Sequence, residues 1–242
     1  MIDLHSHILP ELDDGSRNLR ESLEMARMAV ESGITVMTAT PHCAHDRAEE
    51  VLESWQLLRD ALAESEIPLT LLPGMEIFGT ADTLRLLQDG KLLTLNDSRY
   101  PLVEFGFHSL GDEETTILRG LCKAGYRPIV AHPERYSYVQ SNPRLVNRWF
   151  RMGCLIQVNR GSLLGRFGRQ AQAMAAELVE RGFATVVATD AHSARVRTPW
   201  MRDVRELLTR EVSPQCARTL LLDNPRRIVQ NKPMHDVEPE WF

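Results

Sequence analysis

Two histidines, two residues apart, close the first apolar stretch: Met1-Ile2-Asp3-Leu4-His5-Ser6-His7. Ile2 and Leu4 alternate with polar neighbours, as in a strand, and side chains two apart on a strand share a face. His5 and His7 can therefore grip one metal ion or flank one substrate. Similar groups follow later apolar runs. Asp13-Asp14-Gly15 comes just after the pair. His42 follows Ile34–Ala39, Glu76 follows Leu69–Leu72, and Glu104 ends Leu102–Glu104. Pro128–Ala131 leads into His132-Pro133-Glu134-Arg135, and Thr185–Ala188 into Thr189-Asp190-Ala191-His192.

Imidazole mixed with carboxylate, without cysteine, suits zinc, manganese or iron better than a structural zinc site. The donors exceed the needs of one ion, so two or three ions are expected. Clustered ions activate water and clamp the oxygens of a transferring phosphoryl group. Cationic side chains must then hold the remaining oxygens. Arg135 and Arg197 lie just past His132 and His192 and could do so by bidentate contacts. Taken singly, each of these residues has a plainer reading as a turn, a cap or an ion-paired rim residue. Their recurrence at strand ends points to a site. His45, His108 and His235 fall outside the pattern and read as surface or supporting residues. Arg17, Arg160 and Arg195 read as solvated arginines.

One spacing is a decoy. Cys154 and Arg160 match the Cys-x5-Arg pattern of cysteine-dependent phosphatases. That chemistry needs a loop whose backbone N–H groups cradle phosphate. Here the intervening residues alternate as a buried strand, Leu155–Val158, with Cys154 at its start and far from the rim. No phosphate-binding glycine loop or serine nucleophile elbow is present.

The elements that must position these groups alternate along the chain. Helix stripes run through Leu19/Leu23/Ala26/Val30, behind a cap at Asn18, and through Val51/Trp55/Leu58/Leu62. Others fall at Leu118/Leu121, Val146/Trp149/Phe150 and Met174/Leu178. Glycines at 33, 125, 153 and 182 suit helix C-terminal caps. Such alternation predicts an α/β fold with a parallel sheet, open or closed into a barrel. Active sites of closed parallel barrels sit on the carboxyl-terminal rim, where these groups collect.

The 242 residues suffice for one large α/β domain or two small ones, and 43% hydrophobic content supports a packed core. A net charge of -5 argues against general nucleic-acid binding. No leader and no long apolar run are visible, so the chain reads as cytoplasmic, without membrane insertion. The four cysteines then read as free thiols.

Several stretches resemble the PHP (polymerase and histidinol phosphatase) superfamily, and within it the bacterial tyrosine-protein phosphatases of capsule and exopolysaccharide operons. They are Met1 to Pro10, Asp13-Asp14-Gly15, Leu95-Asn96-Asp97-Ser98-Arg99-Tyr100, Val103-Glu104-Phe105, Ala131 to Tyr136, Thr189-Asp190-Ala191-His192 and Asp223-Asn224-Pro225-Arg226. The resemblance implies a single domain over residues 1–242, a distorted (β/α)7 barrel, and a trinuclear site usually supplied with manganese. One metal would take His5, His7, Glu76 and Asp190. Glu76 would bridge to a second, held also by Glu104 and His132. A third would take Asp14, His42 and His192, with Asp13 the alternative to Asp14. Arg135 and Arg197 would hold phosphate. The implied substrate is a tyrosine-phosphorylated tail, such as that of a membrane-associated bacterial tyrosine kinase. The rival readings are a small-molecule phosphatase of the histidinol phosphate kind, a phosphodiesterase, an amide hydrolase and a non-catalytic binding domain. Arg17 receives no role. Trp241 and Phe242 would either dock on a neighbour or hang loose.

Overall fold

Proline and glycine interrupt two of the apolar runs just before His42 and Glu76. The computed structural model describes residues 1–108 and 112–242. Its strands are β1 (Ile2–Asp3), β2 (Val36–Ala39), β3 (His42–Cys43), β4 (Thr70–Pro73), β5 (Glu76–Phe78), β6 (Leu102–Glu104), β7 (Ile129–Ala131), β8 (Leu155–Asn159) and β9 (Ala184–Ala188). All pair in parallel. They form two sheets, ordered β1-β2-β4 and β3-β5-β6-β7-β8-β9. The alternation thus gives the expected parallel α/β fold, with β3 and β5 as strands that the sequence pattern had hidden.

Both hidden strands have the same origin. Pro41 lacks an N–H and lies between β2 and β3; Pro73 ends β4, and Gly74-Met75 separate it from β5. A Cβ at position 74 would stand 3.0 Å from side-chain atoms of Leu95 and Thr38, so glycine keeps this turn free of crowding. After each break the strand resumes with a ligand-type residue first, and His42 and Glu76 are register partners. The two sheets are stitched by backbone bonds: Thr40 N–H donates to Ser6 O at 2.8 Å, and Glu76 N–H to Pro41 O at 3.1 Å. A lone parallel bridge links Ser6 to Ala191.

Helices cover the sheets. Leu19–Ser32 begins at Asn18, whose side chain accepts from Glu21 N–H, and ends at Gly33 in the left-handed region (φ 97). It buries Met25, Ala26 and Ala29, while Ala48–Glu64 buries Val51, Leu58 and Leu62. Every residue of β8 and β9 is buried, as in strands covered on both faces. Trp149 and Phe183 are fully enclosed, each burial contributing roughly 2–3 kcal/mol.

The Leu95–Tyr100 stretch meets the segment that follows Asp223–Arg226. Asn96 and Asp97 both have φ 53. Asn96 Nδ2 donates to Val229 O, Arg99 Nε to Asn231 Oδ1, and Tyr100 Oη to Lys232 O at 2.6 Å. Asn224 Nδ2 donates to Thr185 O at the start of β9. These residues anchor the C-terminal segment. That segment continues to a docked end: the Phe242 ring stacks on Phe183 at 5.2 Å, and Glu240 N–H donates to Arg181 O. Trp241 and Phe242 therefore pack on their own chain. Among the described residues no helix is long and apolar enough to cross a membrane.

Candidate metal centre

The ends of β1 and β9 are tied together, and this fixes the innermost donors. Asp190 N–H donates to His5 O at 2.9 Å, and His7 N–H to Ala191 O at 2.8 Å. Asp3, fully buried, accepts from the N–H and hydroxyl of Thr189. His5 and His7 thus point inward together, with their Nε2 atoms 3.2 Å apart.

Among the described residues three groups of donors form, and within each the donor atoms lie within 4.8 Å of one another: His5/His7/Glu76/Asp190, His7/Asp14/His42/His192 and His42/Glu76/Glu104. The first is the deepest, with all four residues buried. The second opens outward, where the side chains of His42 and Asp14 are 38% and 68% exposed. Glu76 Oε2 lies 3.1 Å from His5 Nε2 and 3.2 Å from His7 Nε2. His132 reaches the other oxygen of Glu76, Nε2 to Oε1 at 2.8 Å.

The donors suit resident cations. Glu76 Oε2, Asp190 Oδ1 and His192 Nε2 are buried without a hydrogen-bond partner among the described residues. Unsatisfied buried polar atoms are rare in native folds, and an ion is one explanation for them. Here they converge from separate elements, and the donor set is the mixed imidazole–carboxylate one of reactive metals.

Supporting contacts fix the rings. Gln157 Oε1 faces His5 Nδ1 at 2.9 Å and also accepts from His132 N–H. His5 Nδ1 therefore donates, leaving the Nε2 lone pair for a metal. Gln157 Nε2 donates to Asn159 Oδ1, and Asn159 Nδ2 to Asp190 Oδ2 at 2.6 Å. Glu134 Oε1 accepts from Asn159 N–H and Ser162 Oγ. Burial pushes the Glu134 carboxyl above the usual carboxylate range.

Burial opposes charge throughout. Even so, Glu76 and Asp190 stay well below the usual carboxylate range beside His5 and its neighbours. Those carboxylates in turn raise His5 and, with Asp13, raise His7 strongly; Glu104 and Glu76 raise His42. Burial and the adjacent His7 push His192 down to about 3.

Arg135 and Arg197 both reach Asp190 Oδ2 from outside, Arg135 at 3.3 Å. The other oxygen of Asp190 faces His5 and His7. His132, Asp190 and Arg197 all have positive φ, at 34, 52 and 54. Such non-glycine geometry concentrates where function requires it.

Each residue considered in the sequence has a definite place. Asp13 is not in a donor group: its oxygens accept from His42 and Gly15 N–H and face His7 Nδ1. Asp14 is the carboxylate near His42 and His192. Glu104 sits against His42, Oε1 to Nδ1 at 2.8 Å, rather than grouping with His132. Arg160 is not solvated. It is 3% exposed and makes a two-pronged ion pair with Asp203 at 2.7 and 2.5 Å. Arg17 is exposed and paired with Glu21. Cys154 is buried, and its hydrogen bond with Cys122 together with burial pushes its thiol up strongly. All four cysteines are free.

Gln157, Asn159 and Asp3 were missed by the sequence reading. The available signal was polar residues at alternate positions near the end of an otherwise apolar strand.

The family model for capsular polysaccharide synthesis, CpsB/CapC, matches residues 1–230. The chain belongs to the CpsB/CapC family. Tyrosine-protein phosphatase YwqE of Bacillus subtilis is 34% identical over 244 residues, covering 99% of this chain and 96% of the relative. Tyrosine-protein phosphatase CpsB of Streptococcus pneumoniae is 30% identical, covering 96% and 99%. A crystal structure from work on those two proteins, described there as unique metal-dependent tyrosine phosphatases, superposes with a TM-score of 0.94. It is 34% identical, and the match covers 100% of this chain and 99% of that one. The CpsB/CapC match thus spans the donor groups and both arginines.

Proposed function

We propose that this CpsB/CapC member is a metal-dependent phosphatase that hydrolyses phosphotyrosine on proteins. The observation that carries the reading is the double engagement of Asp190. One oxygen faces the buried histidines and the other faces two guanidinium groups. A phosphoryl group placed there would meet the metal centre and its cationic clamp together.

The metal ligands we assign are His5, His7, Asp14, His42, Glu76, Glu104, His132, Asp190 and His192. They would hold two or three divalent ions, manganese first, with iron or zinc as alternatives. Such ions supply an acidified water and neutralise phosphoryl charge when bound. Arg135 and Arg197 bind and orient the phosphoryl oxygens through in-plane N–H donors. Asp13 and Gln157 hold His7 and His5 in orientation. The phenolate of tyrosine is a good leaving group, so the site needs no strong general acid.

The substrate we assign is a tyrosine-rich tail of a membrane-associated kinase in capsule or exopolysaccharide synthesis, met in the cytoplasm. We also read the two sheets, joined through Ser6 and Ala191, as one distorted barrel. The arginine pair favours phosphate over amide substrates, and a histidinol phosphate-type monoester is the second reading. Parallel rates on a phosphotyrosyl peptide, its phosphoseryl counterpart and histidinol phosphate test the choice. Clear preference for phosphotyrosine supports it; preference for histidinol phosphate transfers the site to small molecules.

A further inference from the structure

Beside the metal centre lies a cavity of about 280 Å³ lined by Phe107, His108, Arg135, Gln140, Phe167 and Ala171. It shares Arg135 with the centre, and its two aromatic walls come from separate segments. Phe107 follows β6. Its carbonyl accepts from the N–H and hydroxyl of Ser137, at 2.9 and 2.8 Å, which ties it to the segment after β7. Its ring lies 5.9 Å from Tyr136 and 6.1 Å from His132, centroid to centroid. Phe167 lies on a loop after β8 and packs over Gly161. A Cβ there would come within 2.6 Å of the ring, so the missing side chain makes room for it.

The guanidinium carbon of Arg135 stands 4.7 Å from the Phe107 centroid and 4.3 Å from that of Phe167. That of Arg197 stands 5.7 Å from Phe167. Contact with ring faces leaves the in-plane N–H donors free for oxygens. Both arginines assigned to phosphate are therefore bordered by phenyl rings. Phe107 is 37% exposed, an aromatic surface open at the mouth of a charged site.

Resting on the phosphatase reading, we propose that Phe107 and Phe167 form the slot for the substrate's aromatic ring and set the preference for aryl over alkyl phosphomonoesters. A phosphoryl group held by Arg135 and Arg197 carries its ester substituent past these rings. A phenyl group gains offset or edge contacts with them. A serine side chain is shorter and presents no ring to either wall.

The slot can be read without turnover. Inhibition constants for phenylphosphonate and methylphosphonate share the anionic head and differ in the ring. The metal-loaded wild type should bind phenylphosphonate more tightly. Phe107→Ala with Phe167→Ala should raise the phenylphosphonate constant about ten-fold and leave that for methylphosphonate nearly unchanged. Phe107→Leu with Phe167→Leu keeps apolar bulk, should lose part of the selectivity, and serves if the alanine pair fails to fold. A parallel rise for both inhibitors would show that the rings only brace Arg135. Equal binding of the two by wild type, or unchanged selectivity in the folded variants, would equally overturn the slot. Wild-type turnover of a phosphotyrosyl peptide, measured beside these, tests the underlying activity separately.

Discussion

Asp13 Oδ2 stands 2.7 Å from His7 Nδ1 and accepts the backbone N–H of His42 at 2.8 Å. One carboxylate thus orients a ring that belongs to two donor groups and fixes the backbone of another ligand. The bonds to His7 and His42, working against burial, hold the Asp13 carboxyl at about 2, so it stays charged. Asp13→Asn should weaken metal binding by about 10–100-fold. Activity should return at high metal concentration, read by titrating Mn²⁺ against initial rate. An unchanged metal requirement would remove Asp13 from this positioning role.

The arginine pair should separate phosphate binding from metal binding. Arg135→Lys and Arg197→Lys keep the charge but lose the planar fork. Each should lower kcat/KM by about 10²–10³-fold. Bound metal, counted by elemental analysis, should not change. Loss of metal in either variant would mean that the guanidinium groups chiefly steady Asp190.

Proton and metal binding should compete at this centre. His5, His7 and His42 titrate above 6.5 in the metal-free fold. The stability from their charged forms is complete below 6.5 and declines as pH rises through the raised values. His192, lowered to about 3, is neutral in both states above 6.5 and adds nothing there. Chelator-treated protein should therefore lose thermal stability as pH rises from neutral. The metal-loaded protein should instead gain metal affinity, because ligation needs deprotonated imidazole. Melting curves with and without chelator across this range check the opposed trends. A parallel response would count against proton–metal competition.

Cys154→Ser should leave kcat within about two-fold, since a buried, strongly raised thiol is no nucleophile. Its cost should be confined to stability, about 1–2 kcal/mol from placing a hydroxyl in the core. A collapse of turnover in folded, metal-loaded variant would revive the cysteine mechanism.

Much of the architecture was readable because burial imposes simple periods. The runs ending at Ala39, Glu104, Ala131 and Ala188 became parallel strands with their polar groups at one end. The helix after Asn18 followed from its cap and apolar stripe. β3 and β5 escaped because each has only two or three residues and starts beside a Pro41 or Pro73-Gly74 break. Their identity as strands depends on pairing with distant segments, which local pattern does not encode. The site shows the same division. His5 and His7 stood out by spacing, whereas Asp13 and Asp14 are adjacent and differ only in where the turn directs them. Gln157 and Asn159 were hidden by an otherwise apolar strand. Arg160 looked like an ordinary surface arginine until Asp203, far along the chain, came to meet it.

The most direct test is phosphate release from a phosphotyrosyl peptide by chelator-stripped protein before and after Mn²⁺ is restored, alongside Glu104→Ala and His42→Ala. Restored wild-type turnover with near-complete loss in both folded variants is the predicted result. Turnover in the stripped protein, or near-full activity in either variant, would contradict the metal centre as the seat of catalysis.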